Sequence, residues 1–367
     1  MDAGRFVPFY AVGYISEFFY IRSMKTQFSK LALSAALGLA LAFIFTSCEE
    51  KDAEKAAAEK AALAAATAAA IEAVAEAEAA ERAAQEAAMA AEAEAERIAQ
   101  EAEEMAEYYA NEAEPDPADI ETRTVSNIRE FVAALGSNRI IELKPGKYNL
   151  SERVDNAFEG QDDSPAGVSW SYSDGELVLN GIKNLTIRGT EGGKLPKLVI
   201  DDRVSYVLKF VNCRNIVIDG ISAGHSEGGA CSGGVFSFEN SSGITINGTS
   251  MYGSGTEGLT LTNVFGMKVT NSRIYECTYY IMTVYGGKDI SFENCVFDNN
   301  REYSLVNVDK TRNMSFTGCQ FNNNLGSAMF NVQGTTIYIN NSTFSNNKVI
   351  GAITNANNVG FNGCIFK

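Results

Sequence analysis

The 367-residue chain contains a single histidine, His225. It sits in Ile221-Ser-Ala-Gly-His-Ser-Glu-Gly-Gly-Ala-Cys-Ser-Gly-Gly, where the density of glycine predicts an irregular, roomy loop. An imidazole can take or give a proton near neutral pH. The acids beyond residue 200 are scattered: Glu227, Glu257, Glu276, Glu293, Asp298, Glu302 and Asp309. Of these, Glu257, Glu276 and Glu302, with Arg273, Arg301 and Tyr279, could line one groove. Facing carboxylates there could act as acid and base on a glycosidic bond, and Arg273 could take a proton α to a carboxylate. The same charges would serve equally as solvated turn residues. Tyr252, Tyr275, Tyr279 and Tyr303, with Tyr280 and Tyr285 nearby, offer a different chemistry. Exposed phenol rings in a row hold sugar rings by face contact and by their hydroxyls, although turn packing would use the same residues. No CxxC spacing suggests a metal, and neither a metal nor a cofactor is expected.

Whether these residues meet depends on a repeat. An apolar–x–apolar pair recurs as Leu185/Ile187, Ile216/Ile218, Ile244/Ile246, Met267/Val269, Ile290/Phe292, Met314/Phe316, Ile337/Ile339 and Val359/Phe361. From Ile216 onward the steps are 28, 23, 23, 24, 23 and 22 residues. Five residues past each first member come Ile221, Thr249, Ser272, Cys295, Cys319, Ser342 and Cys364. Seven past come Ala223, Met251, Ile274, Phe297, Phe321, Phe344 and Phe366. Six before lie Phe210, Phe238, Leu261, Val284, Val308 and Ile353, with Val332 displaced by one. Alternation inside each unit means strands, and the fixed period makes each unit one turn of a solenoid. The column containing Phe297, Phe321, Phe344 and Phe366 should therefore form an internal aromatic ladder. Asn299/Asn300, Asn323/Asn324 and Asn346/Asn347 fall in one register after it, suited to left-handed turns and to amide bonding between rungs. Tyr252 and Tyr275 share one offset and should stack on adjacent rungs. Glu257, Glu276 and Glu302 fall near a common edge.

This pattern resembles the right-handed parallel β-helix repeat family, whose architecture is shared by pectate lyases, polygalacturonases and many surface proteins. The resemblance covers residues 119–367 and implies an all-β, single-stranded solenoid. Asn127 with Glu130 predicts a helix N-terminus, and Ile128, Phe131, Val132 and Leu135 give its apolar face before Gly136. The strand Ile140–Leu143 and Tyr148 follow, as in the cap of such solenoids. Gly224-His225 resembles the Gly-His-Gly of polygalacturonase-like hydrolases, but the Asn-x-Asp strand of those enzymes is missing. Asp201-Asp202 lies one rung earlier in an irregular stretch. Cys295, Cys319 and Cys364 read as buried thiols in a small-residue column, and stacked parallel strands disfavour a bridge between them.

Upstream, the composition changes. Residues 49–119 hold 21 Asp and Glu against 5 Lys and Arg, a net of −16 that equals the formal charge of the whole chain. The solenoid is thus close to neutral and has no basic stripe, which excludes nucleic acid as a partner. From Glu49 to about Glu114 the chain is mostly Ala, Glu, Lys, Gln and Arg, with no Gly or Pro before Pro115, and predicts a long helical spacer over residues 49–118. Leu63, Ile71, Val74, Met89, Ile98 and Met105 keep no heptad, so a solvated stalk is preferred to a coiled coil. Self-association through the Ala-lined helix or the final rung stays open. Residues 24–48 read as a basic n-region, a short apolar stretch and Ser47-Cys48, similar to the lipobox of bacterial lipoproteins, with Phe45 where Leu is commoner. That resemblance implies a lipid on Cys48, a membrane as partner, and a place in the cell envelope on the periplasmic or surface face of the outer membrane. Residues 1–23 precede a complete signal peptide and are expected to be an upstream extension. Function on sequence alone is a scaffold binding polysaccharide or a protein partner; the alternative is a polysaccharide lyase or glycoside hydrolase of the same fold.

Overall fold

The computed structural model describes residues 53–110, 119–152, 165–170, 176–190, 192, 194–226 and 231–367. Cys48, the signal segment and the upstream extension lie outside these. A single helix runs over Ala53–Ala110, 58 residues and roughly 90 Å at 1.5 Å per residue. Its Ala, Glu and Lys lose little side-chain entropy in the helix. Ile71 and Met89 are exposed. No described helix is long and apolar enough to cross a membrane.

The described residues from Asp119 to Lys367 wind into three sheets, and each rung from Lys183 to Val349 contributes one strand to each. The first sheet has ten strands, from Glu121–Val125 and Arg139–Leu143 to Ile337–Asn340 and Val359–Asn362. The second runs from Lys147–Asn149 to Ile365–Phe366 and the third from Val168–Trp170 to Lys348–Val349, nine strands each. All pairings are parallel except Val168–Trp170 against Leu177–Asn180. Ile216, Ile244, Met267, Ile290, Met314, Ile337 and Val359 are register partners up the first sheet, as the repeat requires.

Side chains of alternate residues turn inward and stack. Phe297 and Phe321 have ring centroids 4.8 Å apart, Phe321 and Phe344 4.6 Å, and Phe344 and Phe366 4.9 Å. Phe292 and Phe316 form a second stack at 4.8 Å, meeting the first edge to face. The paired asparagines divide the two tasks between them. Asn299, Asn323 and Asn346 take φ of 59°, 55° and 57°, the left-handed turn. Asn300, Asn324 and Asn347 form the ladder: Asn300 Nδ2 donates to Asn324 Oδ1, and Asn324 Nδ2 to Asn347 Oδ1, both at 3.0 Å. Cys295 and Cys319 are buried thiols in their column, and all six described cysteines are free.

The helix Ile128–Ala134 covers the first rung. Asn127 Oδ1 accepts from Glu130 N at 3.0 Å, but Glu130 reaches one residue further back than a capping box does, accepting from Ser126 N at 2.7 Å. Phe131 and Leu135 are fully buried, and Tyr148 donates its hydroxyl to Val125 O at 2.8 Å.

Two register expectations need correction. Val332 pairs with Val308 and is not displaced in space. The turn after it, Gln333 to Thr336, is one residue shorter than its equivalents, so the offset lies in the turn. Ile353 starts a short 3-10 helix, Ile353–Asn355, and is no part of the third sheet.

Candidate binding face

The outer surface of the second sheet carries the first group. Tyr252 and Tyr275 are register partners on Ser250–Tyr252 and Arg273–Tyr275, their rings stacked with centroids 5.5 Å apart and 22° between planes. One rung below, Gly224 is the partner of Tyr252. A Cβ there would fall 2.3 Å from the Tyr252 carbonyl oxygen and 2.9 Å from its ring. Glycine is what lets that ring lie against the sheet. Arg273 shares a strand face with Tyr275, two residues away. Its guanidinium carbon sits 4.0 Å from the Tyr275 ring centroid, while its nitrogens donate to both oxygens of Asp298 at 2.6 and 2.5 Å. Asp298 is the register partner of Tyr275 on the next rung. Its hydrogen bonds raise the Arg273 pKa further.

The second group lies at the turn between the second and third sheets. Tyr279 and Tyr303 have centroids 5.3 Å apart, Tyr280 and Tyr303 5.9 Å. Tyr303 is 52% exposed. On the rung below, Glu257 is buried at 7% exposure. Tyr206 donates its hydroxyl to Glu257 Oε1 at 3.0 Å, and Thr260 Oγ1 donates to the same oxygen. Burial pushes the Glu257 carboxyl above the usual range, against these two bonds, and holds the Tyr206 hydroxyl well above its own.

The acids that looked like one edge occupy three different positions. Glu257 is buried beneath the turn and does not project outward. Glu276 is exposed in a left-handed turn at φ 57°, and Glu302 is exposed at φ 82° on the following rung. The unequal turn lengths placed them in separate columns.

His225 is buried, on the opposite side of its strand from Gly224 and Tyr252. Its Nε2 lies 3.1 Å from Ser205 O, and its Nδ1 has no partner among the described residues. Burial lowers its pKa, against the Ser205 carbonyl and Asp202. The glycines after it, where described, mark close approach and not a roomy loop. A Cβ on Gly233 would sit 2.1 Å from Ser205 O, and one on Gly234 2.2 Å from Tyr206 Cε1. Among the described residues no cluster of three His, Cys, Asp or Glu is placed to hold a metal ion.

Tyr206 and Thr260 escaped the sequence reading, which noted Gly224 beside His225 but not beneath the tyrosine column. Tyr206 and Glu257 lie 51 residues apart and meet only because a rung without a side chain at Gly234 intervenes. Glycine beneath an aromatic column was the one signal available.

Residues 197–366 match the family described as "Right handed beta helix region". The matched residues lie within the parallel solenoid, and the all-β fold class is the one the repeat implied. No curated protein is recognisably similar in sequence. Among solved structures, a pectate lyase from Bacillus sp. N165 is similar at 12% identity, with 70% of this chain and 85% of that one covered and a TM-score of 0.45. An alginate lyase from Paenibacillus sp. str. FPU-7 is similar at 14% identity, 67% and 99% covered, TM-score 0.36. The Streptococcus pneumoniae surface protein and adhesin PfbA is similar at 10% identity, 69% and 77% covered, TM-score 0.35.

Proposed function

We propose that the chain is an envelope-anchored lipoprotein whose β-helix binds polysaccharide through the tyrosine face, without chemistry. The stacked Tyr252–Tyr275 pair carries the reading. Two half-buried phenol rings are held near-parallel, Tyr252 against Gly224 and Tyr275 under the Arg273 guanidinium that Asp298 holds. Flat apolar faces edged by hydroxyls suit the CH-rich faces of sugar rings. Tyr279, Tyr280 and Tyr303 extend the aromatic surface toward the next turn. Cys48 would take the lipid, and the Ala/Glu-rich helix would serve as spacer.

The experiment is affinity electrophoresis of the full chain through gels containing a panel of glycans. Retardation by at least one glycan, weakened about tenfold in a Tyr252→Ala/Tyr275→Ala variant, is the expected result. Unchanged mobility across the panel would remove the reading. Labelling cells with radioactive palmitate tests the anchor, and a Cys48→Ser variant should carry no label.

One observation favours a hydrolase instead. Burial raises the pKa of the Glu257 carboxyl, the direction a general acid requires. Release of reducing ends or unsaturated products from glycans, abolished by Glu257→Gln, would put the catalytic reading first.

A further inference from the structure

We infer that the tyrosine face takes a neutral glycan and excludes polyuronates; this rests on the glycan-binding reading above. The argument is one of charge. A polyuronate carries a carboxylate on every sugar, and a protein holds such a chain through cations free to pair with them. The cation on the platform, Arg273, already has both oxygens of Asp298 at 2.6 and 2.5 Å. Its guanidinium plane is occupied as well, lying 4.0 Å from the centre of the Tyr275 ring. Recruiting it for a ligand carboxylate would leave Asp298, 7% exposed, without its counter-charge.

The other charges on these rungs lean acidic. Arg301, Glu276 and Glu302 are all exposed. Glu276 is near enough to raise the pKa of both Arg273 and Tyr275 through space, although burial acts more strongly on Tyr275 and Asp298 on Arg273. Apart from the buried Glu257, two arginines, Arg273 and Arg301, face three carboxylates, Glu276, Asp298 and Glu302. Two rungs below Tyr252, Asp201 and Asp202 stand against Arg203. A polyanion arriving along this face meets net negative charge. A neutral sugar meets the exposed Tyr303 and the half-buried Tyr252, Tyr275, Tyr279 and Tyr280, with no field to oppose it.

Affinity electrophoresis of the full chain at low ionic strength separates the cases, with galactomannan, xyloglucan and mixed-linkage β-glucan as neutral probes and polygalacturonate and alginate as acidic ones. The expected result is retardation by a neutral probe, about tenfold weaker on Tyr303→Ala or Tyr252→Ala/Tyr275→Ala, and none by the acidic probes. Tyr303 is exposed enough that its variant should fold, and circular dichroism checks this. Glu276→Lys/Glu302→Lys should then gain polygalacturonate retardation that salt abolishes. Tyrosine-dependent retardation of the unaltered chain by polygalacturonate or alginate, with or without calcium, overturns the inference and leaves glycan binding standing. Retardation by no probe at all overturns both.

Discussion

Glu257 has two hydrogen-bond donors on one oxygen and almost no water, and the charged form loses more by burial than it gains from Tyr206 and Thr260. Its folded pKa therefore lies above the ordinary 4.5, and folding takes up a proton. The sign follows by linkage: the contribution is fully present below the unfolded value and is lost as pH rises through the raised folded one. Glu257→Gln keeps an acceptor for Tyr206 and Thr260 without a charge. The variant should match the parent near pH ~4 and melt higher than the parent at pH ~8. Melting temperatures across that range decide it, and a parent that outlasts the variant at neutral pH would mean an unseen counter-charge on the carboxylate. The sequence could nominate Glu257 but not bury it, because depth depends on Tyr206 and Thr260 arriving from neighbouring strands. Asp298 was legible as an acid and not as the partner of Arg273. Only the register that sets Tyr275 beside Asp298 brings the two together.

At the scale of the element, the turn between the second and third sheets rests on its asparagine pairs, whose members should respond differently to substitution. Asn324 donates to Phe297 O at 2.9 Å and accepts from Asn300 N at 3.0 Å while linking its neighbours' amides. Truncation to Ala would strand a buried carbonyl and a buried amide, at a cost of about 3 kcal/mol. Asn323, one residue earlier, contributes its φ of 55°. Asn323→Gly should be within ~0.5 kcal/mol of the parent and Asn323→Ala about 1 kcal/mol worse, since Gly accepts left-handed backbone freely. Urea titrations of the three variants measure this, and equal losses would refute the division of roles. The doubled Asn was plain in the sequence. Which member turns the chain and which bonds was not, because adjacent residues carry identical side chains. Element lengths were legible in the same partial way. The one-residue offset of Val332 announced a shortened turn, but only its pairing with Val308 shows that Gln333 to Thr336 absorbs the deletion.

On the scale of the whole solenoid, each rung touches only the rung above and the rung below, so cohesion passes along the axis from neighbour to neighbour. Phe321 is a central link. It is fully buried, stacked on Phe297 and Phe344 at 4.8 and 4.6 Å, and met edge to face by Phe330 at 5.7 Å. Phe366 is 40% exposed, and its ring contacts are Phe344 and Phe361. Removing the ring at Phe321 opens a cavity between rungs that stay hydrogen-bonded through their backbones and cannot collapse into it. Phe321→Ala should cost about 3–5 kcal/mol, and Phe366→Ala less than half as much. The larger loss should also be local. A weakened interface in a one-dimensional stack lets the rungs beyond it open while the rest holds. Amides of Ile337–Asn340 and Thr343–Ser345 in Phe321→Ala should then exchange with deuterium well before those of Ile216 or Ile244, which keep parental protection. Uniform loss of protection from Leu185 to Phe361 would mean that the solenoid unfolds as one cooperative block and that stacking energy is shared along its whole length.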